Sequence, residues 1–146
     1  MKIRKMKIDD YDAAYALWRN TPGMGLNNVD DSREGIARYL KRNPRTCFIA
    51  EVDGELVGII LAGHDGRRGY IHHTCVNVTL WNNRIGTRLV GTALNALHTE
   101  GISKVALVAF ERNERGNSFW ERMGFSVRPD LVYRNKALIE LERMDT

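Results

Sequence analysis

The stretch that decides the fold runs from residue 70 to residue 110: YIHHTCVNVTLWNNRIGTRLVGTALNALHTEGISKVALVAF. Tyr70 to Val76 forms a strand-like segment, and apolar residues from Ile85 onward recur at helical spacing until Gly101. Lys104 to Phe110 is an apolar run typical of a strand buried on both faces. A strand, a long helix and a second strand predict a right-handed parallel crossover.

The sequence on either side predicts hairpins before this crossover and a strand after it. Asp53-Gly54 joins two apolar runs, Thr46 to Val52 and Glu55 to Gly63, and Asp65-Gly66 leads into the next one. Both dipeptides favour tight turns, so the three runs predict an antiparallel meander. The last strand is predicted at Val132 to Leu141.

Two amphipathic helices are predicted between an N-terminal strand and the meander. The segment between these helices is rich in glycine, and Met24 to Asn28 is expected to form a flexible flap. The fold class is therefore α/β (α+β), with a mixed central sheet that is antiparallel in its N-terminal meander and parallel in its β-α-β crossover. The length of 146 residues predicts one domain spanning residues 1–146.

Composition excludes several classes of protein. The chain is 43% hydrophobic and 27% charged, as is usual for globular domains, and it contains no apolar run long enough to cross a membrane. A basic N-terminus without an apolar stretch behind it argues against a secretory signal. Cys47 and Cys75 each lie in an apolar run, which indicates small buried residues in a reducing compartment. We therefore expect a cytoplasmic protein.

The positive charge is concentrated in about a quarter of the chain. The net charge is +4, yet Gly66 to Thr99 contains no Asp or Glu, while Arg67, Arg68, Arg84 and Arg88 all lie there. This pattern favours contact with an anionic ligand, although solvated arginines would give the same composition. A basic nucleic-acid-binding domain is disfavoured because the sequence contains no recognised nucleic-acid motif.

The loop before the long helix carries the strongest chemical signal. A helix N-terminus offers unpaired N–H groups and a partial positive charge, so acidic residues normally occupy its first turn. Here Arg84 and Arg88 flank that turn, with Gly86 and Thr87 between them. An anion would complete such a site, and Gly86 would let the backbone approach it. The alternative is an ordinary turn in which Gly86 only breaks the strand conformation.

Two segments resemble the GNAT superfamily of N-acetyltransferases. Residues 81–86, WNNRIG, follow a strand end and are similar to the pyrophosphate loop Gln/Arg-x-x-Gly-x-Gly/Ala. Residues 113–125, NERGNSFWERMGF, are similar to Asn-x-x-Ala…Phe-Tyr-Glu-x-x-Gly-Phe and form the more specific match. The resemblance covers nearly the whole chain. It implies acetyl-CoA as the acetyl-donor substrate, bound where two central strands separate. No metal is expected, because the sequence contains no Cys/His spacing typical of a metal site.

The resemblance also assigns roles to individual positions. It implies that the backbone of Val76 contacts the pantetheine arm and the thioester oxygen, and that Asn113 hydrogen-bonds the pantetheine from the opposite strand. Trp120 would line the gap or steady the sulfur. The backbone from Trp81 to Thr87 would hold the pyrophosphate, including Asn83, Arg84 and Gly86.

Three positions depart from the family pattern. Trp81 replaces the usual Gln or Arg, and Arg84 replaces the first glycine, so Arg84 would supply charge that Trp81 lacks. Trp120 replaces the tyrosine that often protonates the departing thiolate. Because an indole N–H does not titrate usefully, Trp120 is excluded as the general acid.

Candidate acids and bases follow from strand geometry and the resemblance. Strict alternation would place Tyr70, His72 and Thr74 on one face of their strand and Ile71, His73 and Cys75 on the other. Some members of the resembling family place a histidine or glutamate base on the corresponding strand face, so the resemblance favours His72 as the base, against the alternative of a hydrogen-bonded sheet histidine. His73 is expected to pack beneath a helix. Glu111 is a second candidate base unless it is simply solvated, and Tyr133 would replace the missing acid unless it only packs.

The leading hypothesis is transfer of an acetyl group from acetyl-CoA to a primary amine by direct attack in a ternary complex. The amine belongs either to a small molecule or to a protein. A non-catalytic acetyl-CoA-binding or CoA-binding module is the alternative, motivated by the departures at Trp81, Arg84 and Trp120. A homodimer paired through the predicted last strand is a further possibility.

Overall fold

The computed structural model describes residues 1–144, and their strands form a five-stranded central sheet and a separate pair. The strands are β1 (Lys2–Lys5), β2 (Leu26–Asn27), β3 (Phe48–Val52), β4 (Glu55–His64), β5 (Gly69–Val76), β6 (Val105–Ala106) and β7 (Arg143–Met144). The central sheet has the order β1-β3-β4-β5-β6. Its first four strands in this order pair antiparallel, whereas β5 and β6 pair parallel. The separate pair joins β2 and β7 and is antiparallel. The mixed α/β architecture is confirmed.

Helices cover both faces of the central sheet. They are α1 (Tyr11–Arg19), α2 (Arg33–Arg42), α3 (Ile85–Thr99) and α4 (Glu114–Arg122), with short 3-10 helices at Ile8–Asp10 and Val78–Leu80. Apolar residues of the long helix α3, such as Leu89 and Leu97, pack with Ile60 and Ile71 on one face. The other face packs against α1 and α2, where Trp18 is fully buried. No helix in residues 1–144 is long and apolar enough to span a bilayer.

A β-bulge in β5 overturns the prediction of strict alternation. Ile60 pairs with Thr74 and Ala62 pairs with Ile71, so β5 has one more residue than β4 between these two pairs. An extra residue in one strand rotates the side chains that follow it. As a result His72 contacts Tyr39 and His73 contacts Trp18, which places both histidines on the α1–α2 face. The expectation that His73 packs beneath a helix is correct.

The predicted buried strand from Lys104 to Phe110 is much shorter than expected. Only Val105 and Ala106 form β6, opposite Gly69 and Tyr70, and Val108 is 56% exposed. The prediction was wrong beyond Ala106 because β5 and β6 lie side by side only at this end. The remainder of β5, from Ile71 to Val76, has register partners in β4 alone.

Two further predictions, one near the C-terminus and one between α1 and α2, are also wrong. Residues 132–141 form no strand, and Tyr133 is 65% exposed, because the two-residue β6 offers no long edge for pairing. Met24 to Asn28 is not a loose flap: Leu26 is fully buried, and β2 pairs with β7. The Asn28 N–H donates to the carbonyl of Glu142 at 3.0 Å, which extends this pairing.

Candidate functional site

A cleft of about 550 Å³ opens where β5 and β6 separate. The end of β5 forms one wall through Thr74, Cys75 and Val76, and the N-terminus of α3 closes one end. The chain between α1 and β2 contributes Thr21, Pro22 and Met24. The opposite wall comes from α4 and the residue before it, through Asn113, Arg115, Gly116, Phe119, Trp120 and Arg122.

The loop that enters α3 has an unusual backbone. Arg84 is the N-cap residue of α3 with φ of 61°, and Asn82 has φ of 73°, so two non-glycine residues adopt the left-handed conformation. That conformation normally favours glycine, which is the residue expected at position 84 in the resembling family. The first turn of α3 contains no acidic residue. Its N–H groups lack intrahelical acceptors and lie at the positive end of the helix, which suits an anion.

Trp81 links this loop to the end of β5. Its indole N–H donates to the Val76 carbonyl over 2.8 Å. The guanidinium of Arg115, from α4, lies 4.0 Å from the centre of the Trp81 ring, a cation–π distance. The indole therefore contacts both walls of the cleft.

The second family-like segment builds the wall formed by α4. Asn113 caps α4, since its Oδ1 accepts from the Gly116 N–H at 2.9 Å, and the residue also lines the cleft. Trp120 packs edge-on against Phe119 and Phe125 with ring centroids 5.1 and 5.3 Å apart. The Trp120 indole thus lines an aromatic wall, where it supplies surface and a donor but no titratable proton.

The structure brings most of the predicted cofactor residues together. Seven of them line the cleft; they are Val76, Trp81, Arg84, Gly86, Thr87, Asn113 and Trp120. Asn83 is exposed, and its side-chain amide donates to the Leu80 carbonyl over 3.0 Å, so it stabilises the loop from outside.

The predicted acid–base residues lie outside the lining of the cleft. His72 sits on the bulge between the rings of Tyr70 and Tyr39, at centroid distances of 4.7 and 5.5 Å. Desolvation lowers the pKa of His72, and the neighbouring His73 lowers it further. Glu111 is exposed in the chain before α4. Tyr133 is exposed; desolvation raises the pKa of Tyr70, and the neighbouring Tyr133 raises it further.

One polar pair beside the bulge carries no signal in the sequence. His73 Nε2 lies 2.6 Å from Asp31 Oδ1, and the Asp31 carboxylate is buried. Asp31 Oδ2 also accepts from the Asn27 N–H at 2.8 Å. Asp31 directly precedes Ser32, the N-cap residue of α2, so the pair connects the bulge in β5 to the start of α2. Because the two residues are 42 positions apart, no local motif predicts the contact.

The thiols are buried, as their apolar surroundings in the sequence indicate. Burial raises the pKa of Cys75, which lines the cleft, to about 12. The same effect raises the pKa of Cys47 to about 12. Within residues 1–144, His, Cys, Asp and Glu side chains form no group of three or more that could hold a metal ion.

Comparison with known proteins places this chain among the acetyltransferases. The family model "Acetyltransferase (GNAT) family" matches residues 11–125, most of the chain. The chain therefore belongs to the GNAT acetyltransferase family. It is an acetyltransferase that uses acetyl-CoA as its acetyl donor.

Individual relatives agree with this family. An acetyltransferase of Pectobacterium atrosepticum is 29% identical over 140 residues, which cover 96% of this chain and 97% of the relative. PaiA N-acetyltransferase from Thermoplasma acidophilum, solved in complex with coenzyme A, matches with a TM-score of 0.74 and 18% identity, over 87% of this chain and 90% of that one. AAC(6')-Iy in complex with a bisubstrate analog matches with a TM-score of 0.71 and 15% identity, over 93% and 97% of the two chains. These structures share the fold.

Proposed function

We propose that the protein transfers the acetyl group to a primary amine by direct attack within a ternary complex. In this reaction the amine nitrogen attacks the thioester carbonyl, the carbon–sulfur bond breaks, and coenzyme A leaves as a thiolate that takes up a proton. The observation that carries the proposal is the cleft between the end of β5 and α4. None of the described residues that line it is acidic, and the N-terminus of α3 opens into it. Such a cleft suits an anionic thioester whose reactive end lies along β5.

The environment of Cys75 favours direct attack over an acetyl-enzyme. A covalent route through this side chain would need a thiolate, since the thiolate is the nucleophile. Burial raises the pKa of Cys75 to about 12, so the group is a thiol at neutral pH. AAC(6')-Iy, which shares the fold, was solved with CoA-S-monomethyl-acetylneamine, an analog that combines both substrates. The shared fold supports simultaneous binding of donor and acceptor in this protein as well.

His72 is the base that we assign to this reaction, acting through a water. Its lowered pKa keeps the imidazole neutral near pH 7 and therefore able to accept a proton. Glu111 is the second candidate for the base. Tyr133 is the candidate acid that would protonate the leaving thiolate in place of Trp120. We assign residues 1–146 to a single domain that carries both substrates.

The test is a mass-spectrometric screen of purified protein with acetyl-CoA and primary amines. The panel contains diamines, amino sugars, and peptides with either a free N-terminus or a lysine. We expect acetylated amine and free coenzyme A in equal amounts, with no acetyl group on the protein, and the Cys75→Ala variant should retain turnover. An acetylated Cys75 that passes its acetyl group to the amine would contradict direct attack. Coenzyme A binding without turnover for any amine would indicate a binding module.

A further inference from the structure

Arg115 and Trp81 form a pair across the cleft that the family pattern does not supply. Trp81 is anchored on β5 through its hydrogen bond to the Val76 carbonyl, 2.8 Å long. The Arg115 guanidinium, from the first turn of α4, lies 4.0 Å from the centre of the same indole. Both residues line the cleft. Because position 81 normally carries Gln or Arg in the resembling family, the indole stands where a polar group is usual.

Among the described residues, no acidic partner neutralises the charge of Arg115. None of the ion pairs within residues 1–144 involves Arg115, and none of the residues that line the cleft is acidic. Arg84 and Arg122 line the cleft as well and also have no ion pair among the described residues. A stack on an aromatic face restricts a guanidinium without using its N–H donors, which stay available for an anion.

We propose that Arg115 binds the diphosphate of acetyl-CoA and that the Trp81 ring positions it for this role. The cation that the loop lacks at position 81 is then delivered from α4, on the opposite wall. A planar guanidinium makes paired hydrogen bonds to phosphate oxygens, so arginine suits the position better than lysine. The indole serves as a platform and the Val76 carbonyl fixes its orientation. The inference rests on the acetyl-CoA site described above but does not depend on the acceptor or on turnover.

Calorimetric titration with coenzyme A tests the proposal without an acceptor. We expect Arg115→Gln to weaken binding about tenfold or more, since a hydrogen bond to a charged group is worth about that factor in affinity. Arg115→Lys should recover only part of the loss. The plot of log Kd against log salt concentration should be shallower for Arg115→Gln than for the unchanged protein, because one phosphate-binding charge is gone.

Arg112→Gln is the matched control. Arg112 also stacks on an aromatic ring, at 4.3 Å from the centre of Phe110, but it does not line the cleft. Its replacement should leave both the Kd and the salt dependence unchanged. Equal losses in the Arg112 and Arg115 variants, or a weaker Kd for Arg115→Gln with an unchanged salt slope, would overturn a specific diphosphate contact.

Variants of Trp81 test the positioning role. Trp81→Ala should weaken binding about as much as Arg115→Gln, and the double variant should bind no more weakly than either one, because the two residues act as a unit. Trp81→Phe keeps an aromatic face, so its affinity for coenzyme A should be closer to that of the unchanged protein than the affinity of Trp81→Ala is. Additive losses in the double variant, or full affinity in Arg115→Lys, would show that Trp81 does not position the cation. Circular dichroism checks that each variant is folded. Failure of acetyl transfer alone would leave these binding results unaffected.

Discussion

The left-handed backbone at Arg84 predicts that glycine at this position stabilises the protein. Its φ of 61° forces a Cβ against the following carbonyl, which costs roughly 1–2 kcal/mol for a non-glycine residue. Glycine removes that cost, but it also gives the unfolded chain more conformations than alanine does, which lowers the free energy of unfolding by about 0.4–1 kcal/mol. The two effects leave about 0.5–1 kcal/mol in favour of Arg84→Gly over Arg84→Ala.

Denaturant unfolding of the two variants measures this difference directly. Both variants lose the same charge and the same side chain beyond Cβ, so their comparison isolates the backbone. We expect Arg84→Gly to have the larger free energy of unfolding. In thermal unfolding its melting temperature should be higher than that of Arg84→Ala by roughly 1–4 °C for a domain of this size. Their affinities for coenzyme A should match each other. A glycine variant no more stable than the alanine variant would refute the conformational argument, because the loop would then impose no left-handed conformation in solution.

Further predictions concern stability and pH. Gly91→Ala should raise the free energy of unfolding by about 0.5–1 kcal/mol in denaturant unfolding, because alanine favours the helix and a Cβ there meets no atom within 4 Å. Gly63→Ala should lower the free energy of unfolding, because its Cβ would lie 2.5 Å from the Tyr39 hydroxyl. A destabilised Gly91→Ala or a stabilised Gly63→Ala would contradict the described packing. The acid limb of kcat/KM should lie below the ordinary histidine range, because the pKa of His72 is lowered, and His72→Gln should remove that limb. An unchanged profile would exclude His72 as the base. Burial raises the pKa of Asp10, but the hydrogen bonds from Arg4 and from the Lys7 N–H, together with the positive charges of Arg4 and Lys7, lower it below its ordinary value. The stabilisation by Asp10 is therefore present above the ordinary carboxylate range and is lost as the pH falls through the lowered value. Acid unfolding of Asp10→Asn should therefore depend less on pH, and an unchanged dependence would contradict this.

The sequence predicted the features that depend on local pattern. Asp53-Gly54 places the turn between β3 and β4, and Gly101 follows the end of α3, because turns and helix ends depend on neighbouring residues. The acid-free first turn of α3 was visible for the same reason. Once the resemblance to a family was added, these local signals also located seven of the residues that line the cleft.

Features that depend on distant residues were not predictable. Nothing near His72 in the sequence signals a bulge, because the bulge is defined by the register with β4. The apolar runs at 104–110 and 132–141 have the composition of buried strands, yet pairing is limited by where β5 and β6 diverge. The contacts of Arg115 with Trp81 and of His73 with Asp31 join segments far apart in the chain.

The central claim is that the cleft between the end of β5 and α4 binds acetyl-CoA, and calorimetry of the full chain tests it most directly. We predict one acetyl-CoA per chain and no comparable binding of ATP. Gly86→Leu should abolish the signal, because even a Cβ at this position lies 3.4 Å from Phe119 and a longer side chain would fill the cleft. Gly91→Ala, on the same helix but outside the cleft, is the matched control and should bind normally. Full acetyl-CoA affinity in folded Gly86→Leu would contradict the account.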